Sequence, residues 1–305
     1  MNRSPSGSQL LILGDETPSH CRQHLARAAA GAGLEVAAMP AHGADLESPD
    51  GPIAKALRAP ATAGVAVTGR DSDRCLYWAA LALAADLPVL VDALPPGAAG
   101  PAATAVRLGA STGHLHCLSR AAFSPAGEAL LGVAAGDDRV VAIELSVTIP
   151  RSWATSRGPG VLARPGLDYL GLLEPALGPL DSLWARSRSL LREGPNEDWA
   201  LLAARCRDGT EAWLHLGALG EEAAVRLQLH GRCGTRIVDD ALPADDGPEL
   251  AAACGHFVSL LAQRDPPPRP WGHDCASALH LWAWAQQSAR SDREIPRQQA
   301  RPHAG

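Results

Sequence analysis

The chain has 305 residues, 46% of them hydrophobic and 20% charged, with a formal net charge of −6. This length fits one large domain or two ordinary ones, and the composition is that of a globular protein. No basic block is present, which argues against a nucleic-acid partner, and no apolar run approaches the roughly 20 residues of a membrane helix, which argues against a membrane. The seven cysteines, at 21, 75, 117, 206, 233, 254 and 275, are dispersed without a CxxC pair. Such a set implies reduced thiols in a cytoplasmic setting, and neither a disulfide scaffold nor a zinc ribbon. Lys55 is the only lysine, so any lysine-dependent mechanism has a single candidate.

The start, "MNRSPSGSQLLILGDE", carries a short apolar run closed by Gly14 and two acids, which reads as a first strand and not as a signal peptide. Residues 19–33 are alanine-rich with Leu25 on one side, a helix ended by glycine. Strand 2 is expected at 34–39, a short helix near Ile53–Leu57, a strand at 63–69, a helix at 73–86 and a strand at 88–93. A helix at 100–110 and a strand at 114–119 follow. Run-on apolar strands alternating with helices imply a parallel sheet covered on both faces. From 139 onward the pattern changes to longer segments with period-two alternation. These segments are 139–150, 182–191, 198–218 and 223–240, and the third has the hairpin signal Asp208-Gly209 at its centre. A helix is expected over 273–290. The fold class is therefore a Rossmann-like parallel sheet to about residue 120, then an α+β domain over 121–290 with an open, mostly antiparallel sheet. The polar segment 291–305 is expected to be disordered.

Four stretches resemble the Gfo/Idh/MocA oxidoreductases, the glucose-fructose oxidoreductase and inositol dehydrogenase family. They are "LLILGDETPS", "VAVTGRDSDRCLYWAALALAADLPVLVDAL", "FSPAGEALLGVAAGDDRVVAIELSVT" and "HDCASALHLWAWAQQSARSDREIP". In order they match the family's glycine-rich turn, its strand–helix–strand ending in Glu-Lys-Pro, its Phe-Ser-Pro segment with the first strand of the substrate domain, and its closing helix. The resemblance implies an NAD(P)-dependent dehydrogenase of sugars or cyclitols, with a lysine near the reacting carbinol and a histidine in the second domain. It makes Gly14, Ser19 and Thr68 candidate cofactor contacts. It also implies a small-molecule ligand and an oligomer, of one chain or two, formed through the C-terminal sheet.

The departures from the family pattern carry as much information. The G-x-G-x-x-G turn maps onto Gly14, Glu16 and Ser19. Glu16 puts a side chain and a negative charge where the backbone should approach a diphosphate, although the helix N-terminus still offers N–H donors. Glu16 and Asp15 also read simply as first-turn acids favoured by the helix dipole. The end of strand 2, "AAMPAHGAD", offers Met39, Pro40 and Ala41 first and so does not advertise ribose recognition, while His42 is placed to approach a 2′-phosphate. "VLVDALPP" (89–96) aligns with Val-Leu-Val-Glu-Lys-Pro, so Asp92 replaces the glutamate, Ala93 the lysine and Leu94 the proline. The family's Asp-x-Gly-x-His pattern falls near "GLDYLGLLEPALG" (166–178), with Gly171 in place and Leu173 at the histidine. Asp168 and Tyr169 lie nearby as proton-handling candidates, Asp168 being equally a helix cap.

The candidate acid–base residues are accordingly Asp92, Tyr169 and His116. The pair His114 and His116 shares one face of a strand, but no third ligand stands at metal-binding spacing, so no metal site is expected. Ser124 reads as a helix N-cap before Pro125. Trp184, Trp199 and Trp213 stand at alternating strand positions, either as interface anchors or as core. Three readings of function follow. One is a diverged homologue whose hydride chemistry is lost or replaced, acting as an accessory or partner subunit. The second is an active NAD(P)-dependent oxidoreductase. The third, with less in the sequence to support it, is a metal- or ligand-binding sensor.

Overall fold

The computed structural model describes residues 8–14, 19–40, 51–68, 72–91, 114–136, 139–152, 160–163, 165–191, 196–243, 246–262 and 274–300. The chain divides into two compact units. The first comprises Met1–Ser119 with Ala244–Ala276, and the second Arg120–Pro243 with the chain from Ser277 to Ala304. No helix among the described residues is long and apolar enough to cross a membrane.

The first unit holds β1 (Gln9–Gly14), α1 (His20–Ala32), β2 (Glu35–Pro40), α2 (Pro52–Arg58), β3 (Thr62–Thr68), α3 (Ser72–Ala84), β4 (Val89–Val91) and β5 (Leu115–Cys117). Its strands run in the order β2-β1-β3-β4-β5 and all pair in parallel. Leu10 through Leu13 and Val65 through Val67 are all buried. That is why these strands read as unbroken apolar runs: a parallel sheet covered on both faces leaves no side for polar residues. α1 starts at Ser19, whose side chain accepts the Arg22 N–H, and ends at Gly33 with φ +77°, a left-handed position that glycine takes without strain.

The second unit opens with a 3₁₀ turn at Ala121–Phe123 and α4 (Pro125–Leu131), capped by Ser124 as its sequence predicts. β6 (Val140–Pro150), α5 (Gly166–Leu177), β7 (Leu180–Arg188), β8 (Trp199–Cys206), β9 (Glu211–Gly220), β10 (Ala224–Gly231) and β11 (Gly234–Asp240) follow. The chain then forms α6 (Pro248–Leu261), α7 (Asp274–Ser291) and β12 (Ile295–Pro296). Seven strands run in the order β11-β10-β6-β9-β8-β7-β12, and only β6 and β9 pair in parallel. Ile143, Leu145, Val147, Leu214, Leu216, Leu202 and Leu227 alternate onto the buried face. Each such side chain contributes about 1.5–3 kcal/mol on leaving water.

The structure departs from the sequence reading in several places. α6 and α5 were not anticipated as helices. α5 carries Pro175 near its end, whereas α6 does carry helical spacing in Leu250, Ala253, Cys254, Phe257 and Val258, a signal the sequence reading passed over. α6 belongs to the first unit, so the boundary expected near 120 describes only the outward passage of the chain. Its Leu261 side chain lies so close to β3 that a Cβ on Gly64 would sit 2.5 Å from it. Residues 291–300 are not a disordered tail. β12 pairs with β7, and the buried Trp284 indole donates to the Ile295 carbonyl at 2.9 Å. Cys117 is disulfide-bonded, which corrects the expectation of seven reduced thiols: dispersal along the sequence does not measure separation in space. The helix expected at 100–110 lies outside the described residues.

Candidate active site

In the first unit the carboxyl ends of β1 and β3 and the start of α1 bring Gly14, Thr68 and Ser19 to one edge of the sheet. Gly14 pairs with Thr68 across the parallel ladder. The approach is close: a Cβ on Gly14 would stand 2.1 Å from the Thr68 carbonyl oxygen and 2.5 Å from Thr68 Oγ1. Strand packing therefore accounts for this glycine. Ser19 spends its side-chain oxygen on the first turn of α1, accepting from Arg22 N at 3.2 Å. That removes one of the donors an anion at the helix start would use. The described end of β2, Met39 and Pro40, carries no carboxylate for a ribose. Asp92, Ala93, Glu16 and His42 lie outside the described residues. Lys55 is exposed on α2.

His116 lies in β5 opposite Leu90 of β4, its ring 5.5 Å from that of Phe257 on α6. His114 pairs with Asp86 at 3.3 Å at the entry to β5. The two histidines thus serve different contacts, and no group of three or more metal-ligating side chains occurs among the described residues.

In the second unit the turn that leads into α5 is held by a buried acid some 35 residues later in the chain. Glu197 accepts from Leu162 N at 2.9 Å through Oε1, while its carbonyl accepts from Val161 N at 3.0 Å. A Cβ on Gly160 would meet the Glu197 carboxylate at 2.3 Å. The turn Gly160–Ala163 then delivers Gly166, whose N–H donates to the Val161 carbonyl at 2.8 Å. A Cβ on Gly166 would stand 2.7 Å from that same oxygen. Asp198, fully buried, accepts from both Leu190 N and Leu191 N at 2.7 Å and fixes the loop after β7.

Asp168 and Tyr169 occupy the first turn of α5 with different surroundings. Asp168 is half-buried. Tyr169 is 1% exposed and its hydroxyl makes no well-formed hydrogen bond among the described residues. Ser124 stands beside it, but the Ser124 hydroxyl already donates to the Ala121 carbonyl and accepts from Gly127 N. Burial, and after it the charge of Asp168, push the Tyr169 phenol far above its ordinary value. A phenol so placed neither reaches a ligand nor releases a proton near neutrality, which counts against Tyr169 as an acid–base group. Gly171, the glycine of the Asp-x-Gly-x-His match, lies inside α5, and Gly166 at the start of that helix packs closely against the Val161 carbonyl.

A second polar cluster was not signalled by the sequence. Glu174 accepts from Ser277 Oγ at 2.6 Å, from Leu180 N at 3.3 Å and from Arg297 Nη1. Burial alone would raise the Glu174 carboxyl. The hydrogen bonds from Ser277, Arg297 and Leu180, with the charge of Arg297, outweigh it and hold the carboxyl below its ordinary value. His280, on α7 beside this cluster, is pushed down by burial and then by Arg297, with Glu174 opposing. These residues lie more than a hundred positions apart, so no local motif could have announced them.

Among the described residues, the outer face of the seven-stranded sheet carries no covering helix. The register aligns Ile237, Gln228, Glu144, Trp213, Ala203 and Trp184 in one row across it. Trp213 is 43% exposed. Trp199 lies on the same face and donates its indole N–H to His215 Nε2 at 2.8 Å.

A parallel Rossmann-like sheet joined to an open, mostly antiparallel sheet is the fold of inositol dehydrogenases and related Gfo/Idh/MocA oxidoreductases, and this chain has it. Among solved structures, myo-inositol dehydrogenase from Corynebacterium glutamicum superposes with a TM-score of 0.70 at 14% identity, over 97% of this chain and 100% of that one. The WlbA dehydrogenase from Bordetella pertussis, in complex with NADH and UDP-GlcNAcA, gives 0.66 at 16% identity over 95% and 98%. Scyllo-inositol dehydrogenase from Lactobacillus casei, with NAD(H) and scyllo-inositol, gives 0.65 at 12% identity over 95% and 99%. No family model matches the sequence, and no curated protein matches it.

Proposed function

We propose that this chain is a diverged cytoplasmic relative of the NAD(P)-dependent polyol and sugar dehydrogenases, with its hydride chemistry lost or altered, acting as an accessory or partner subunit in a small-molecule pathway. The observation that carries this reading is the loss of both proton carriers from the matched positions. Ala93 stands in the lysine's place. Leu173, buried on α5, stands in the histidine's. Two apolar side chains thus replace the two proton carriers. Loss of one positioned acid–base group costs about 10²–10⁴-fold in rate, and the two losses together leave little of the original reaction.

NAD(P) is the cofactor this fold supports, since two of the structural neighbours hold NADH or NAD(H). The residues of this chain fit it poorly: Glu16 stands in the diphosphate glycine's place, and β2 ends without an acid. The open sheet, with Trp184, Trp199 and Trp213 on its outer face, supports assembly with a second subunit, identical or not. An active oxidoreductase is the second reading. It is favoured by the retained strand–turn–helix of β1 and α1 and by half-buried Asp168, which would serve there as the acid–base group.

Titration with NADH and NADPH, followed by quenching of tryptophan fluorescence, separates the two. The proposal expects no saturable change below about 1 mM, a weak-binding limit near −4 kcal/mol. Saturable binding at micromolar concentration, with polyol- or sugar-dependent reduction of the cofactor that Asp168→Asn abolishes, would overturn it.

A further inference from the structure

The unused chemistry of the first unit is a pair of thiols. Cys21 Sγ and Cys254 Sγ lie 4.0 Å apart, and Cys254 Sγ also points at the Cys21 carbonyl oxygen at 3.8 Å. Cys21 is 4% exposed and Cys254 fully buried. Cys21 sits in the first turn of α1, two residues after the cap Ser19, and Cys254 sits in the middle of α6. A disulfide holds its sulfurs about 2.05 Å apart, so the pair stands roughly 2 Å from a bond. Cys206, by contrast, is buried on the other unit, with its thiol pushed up to about 12 by burial and by Asp208, Glu174 and Asp181. Cys233 is an exposed thiol in the turn between β10 and β11.

We propose that Cys21 and Cys254 are a modification site: an oxidation-dependent disulfide that fastens α6 to the first turn of α1. The oxidant class is a small-molecule disulfide such as oxidised glutathione. One thiolate attacks it, forming a mixed disulfide and releasing one small thiol. The second thiolate attacks the protein sulfur of that intermediate and releases the other small thiol. The pair gives up two electrons and two protons, and the small disulfide is reduced to two thiols.

The placement gives the bond a structural consequence. α6 is the segment by which the chain, having made the sheet of the second unit, returns to the first. A bond from 21 to 254 closes a ring through nearly the whole chain and holds that return segment on α1. Because both sulfurs are buried, the reaction waits on an opening of α1 or α6, so it runs more slowly than modification of Cys233. None of this depends on whether the chain transfers hydride.

The test uses the full chain with Cys233→Ser, which removes the exposed competing thiol. The protein is equilibrated with glutathione buffers of rising oxidised fraction, alkylated, and digested with trypsin without reduction. The expected product joins the peptide Ser4–Arg22 to the peptide Ile237–Arg264, lighter by two hydrogens than their sum. It should increase with the oxidised fraction, raise the Tm by about 5 °C, and vanish on reduction. Cys21→Ala and Cys254→Ala should each abolish the product and shrink the shift in Tm to the part that the Cys117 disulfide supplies. Recovery of Cys21 and Cys254 as separately alkylated peptides at every redox ratio, or as single glutathione adducts only, would overturn the proposal. Mass mapping reads this outcome even where a variant folds poorly.

Discussion

Gly14→Ala separates two roles that glycine can hold at the end of a first strand. The structure assigns it to packing: an added Cβ would stand 2.1 Å from the Thr68 carbonyl oxygen, where ordinary contact begins at 3.4 Å. The neighbour is backbone, held in the β1–β3 ladder, and cannot swing away. Relief requires a shift of roughly 1 Å at the end of the sheet, and overpacking of this kind costs about 1–3 kcal/mol. For a protein of this size each kcal/mol moves the Tm by about 2–4 °C, so Gly14→Ala should lose about 2–12 °C. Adding Thr68→Ala removes the 2.5 Å contact with Oγ1 but not the contact with the carbonyl, so the double variant should recover only part of the loss. Thermal unfolding followed by far-UV circular dichroism measures both. A Gly14→Ala protein that melts within about 1 °C of wild type would refute the packing argument. If it then lost NADH binding, the glycine would belong to ligand approach.

Two further outcomes follow from the second unit. The Glu174 carboxyl is held below its ordinary value in the folded chain, so it contributes stability above the ordinary carboxylate range that is lost as pH falls through the lower folded value. Glu174→Gln should therefore cost about 1–2 kcal/mol at pH 7 in urea unfolding, and the gap from wild type should close below pH 4; a gap that is constant with pH would contradict this. Tyr169→Phe removes a buried hydroxyl that makes no well-formed hydrogen bond. Its stability should match wild type within about 1 kcal/mol or exceed it, and any activity found should survive; loss of activity with the fold intact would restore Tyr169 as a chemical group.

The parallel strands of the first unit were legible because burial on both faces writes itself as continuous apolar sequence, as in Leu10–Leu13. The hairpin of β8 and β9 was legible because Asp208-Gly209 names its own turn, and Gly209 takes φ +89° there. Ser124 was legible as a cap because Ser-Pro at a helix start has one geometry. What could not be read was set by partners far away in sequence. α6 has helical apolar spacing, but nothing local tells that it returns to the first unit, where Phe257 and Leu261 meet β5 and β3. The segment 291–300 looks polar, yet Ile295 alone, fully buried beside Trp284, is enough to dock it. Arg297 then completes the pocket of Glu174, a contact no spacing rule anticipates.

The same distinction governs the site. A motif with one glycine in it can be laid on a sequence in more than one register when glycines are frequent, and 30 of the 305 residues here are glycine. Laid on Gly171, the pattern puts leucine where a proton carrier belongs; laid on Gly166, it puts Asp168 there. Sequence alone does not choose between them; a close backbone contact shows only which glycine its own local fold requires. Gly166 meets the Val161 carbonyl at a distance that no Cβ tolerates. That contact in turn depends on Glu197 holding the turn Gly160–Ala163 in place. A buried carboxylate 31 positions beyond Gly166 thus shapes the turn that leads into α5.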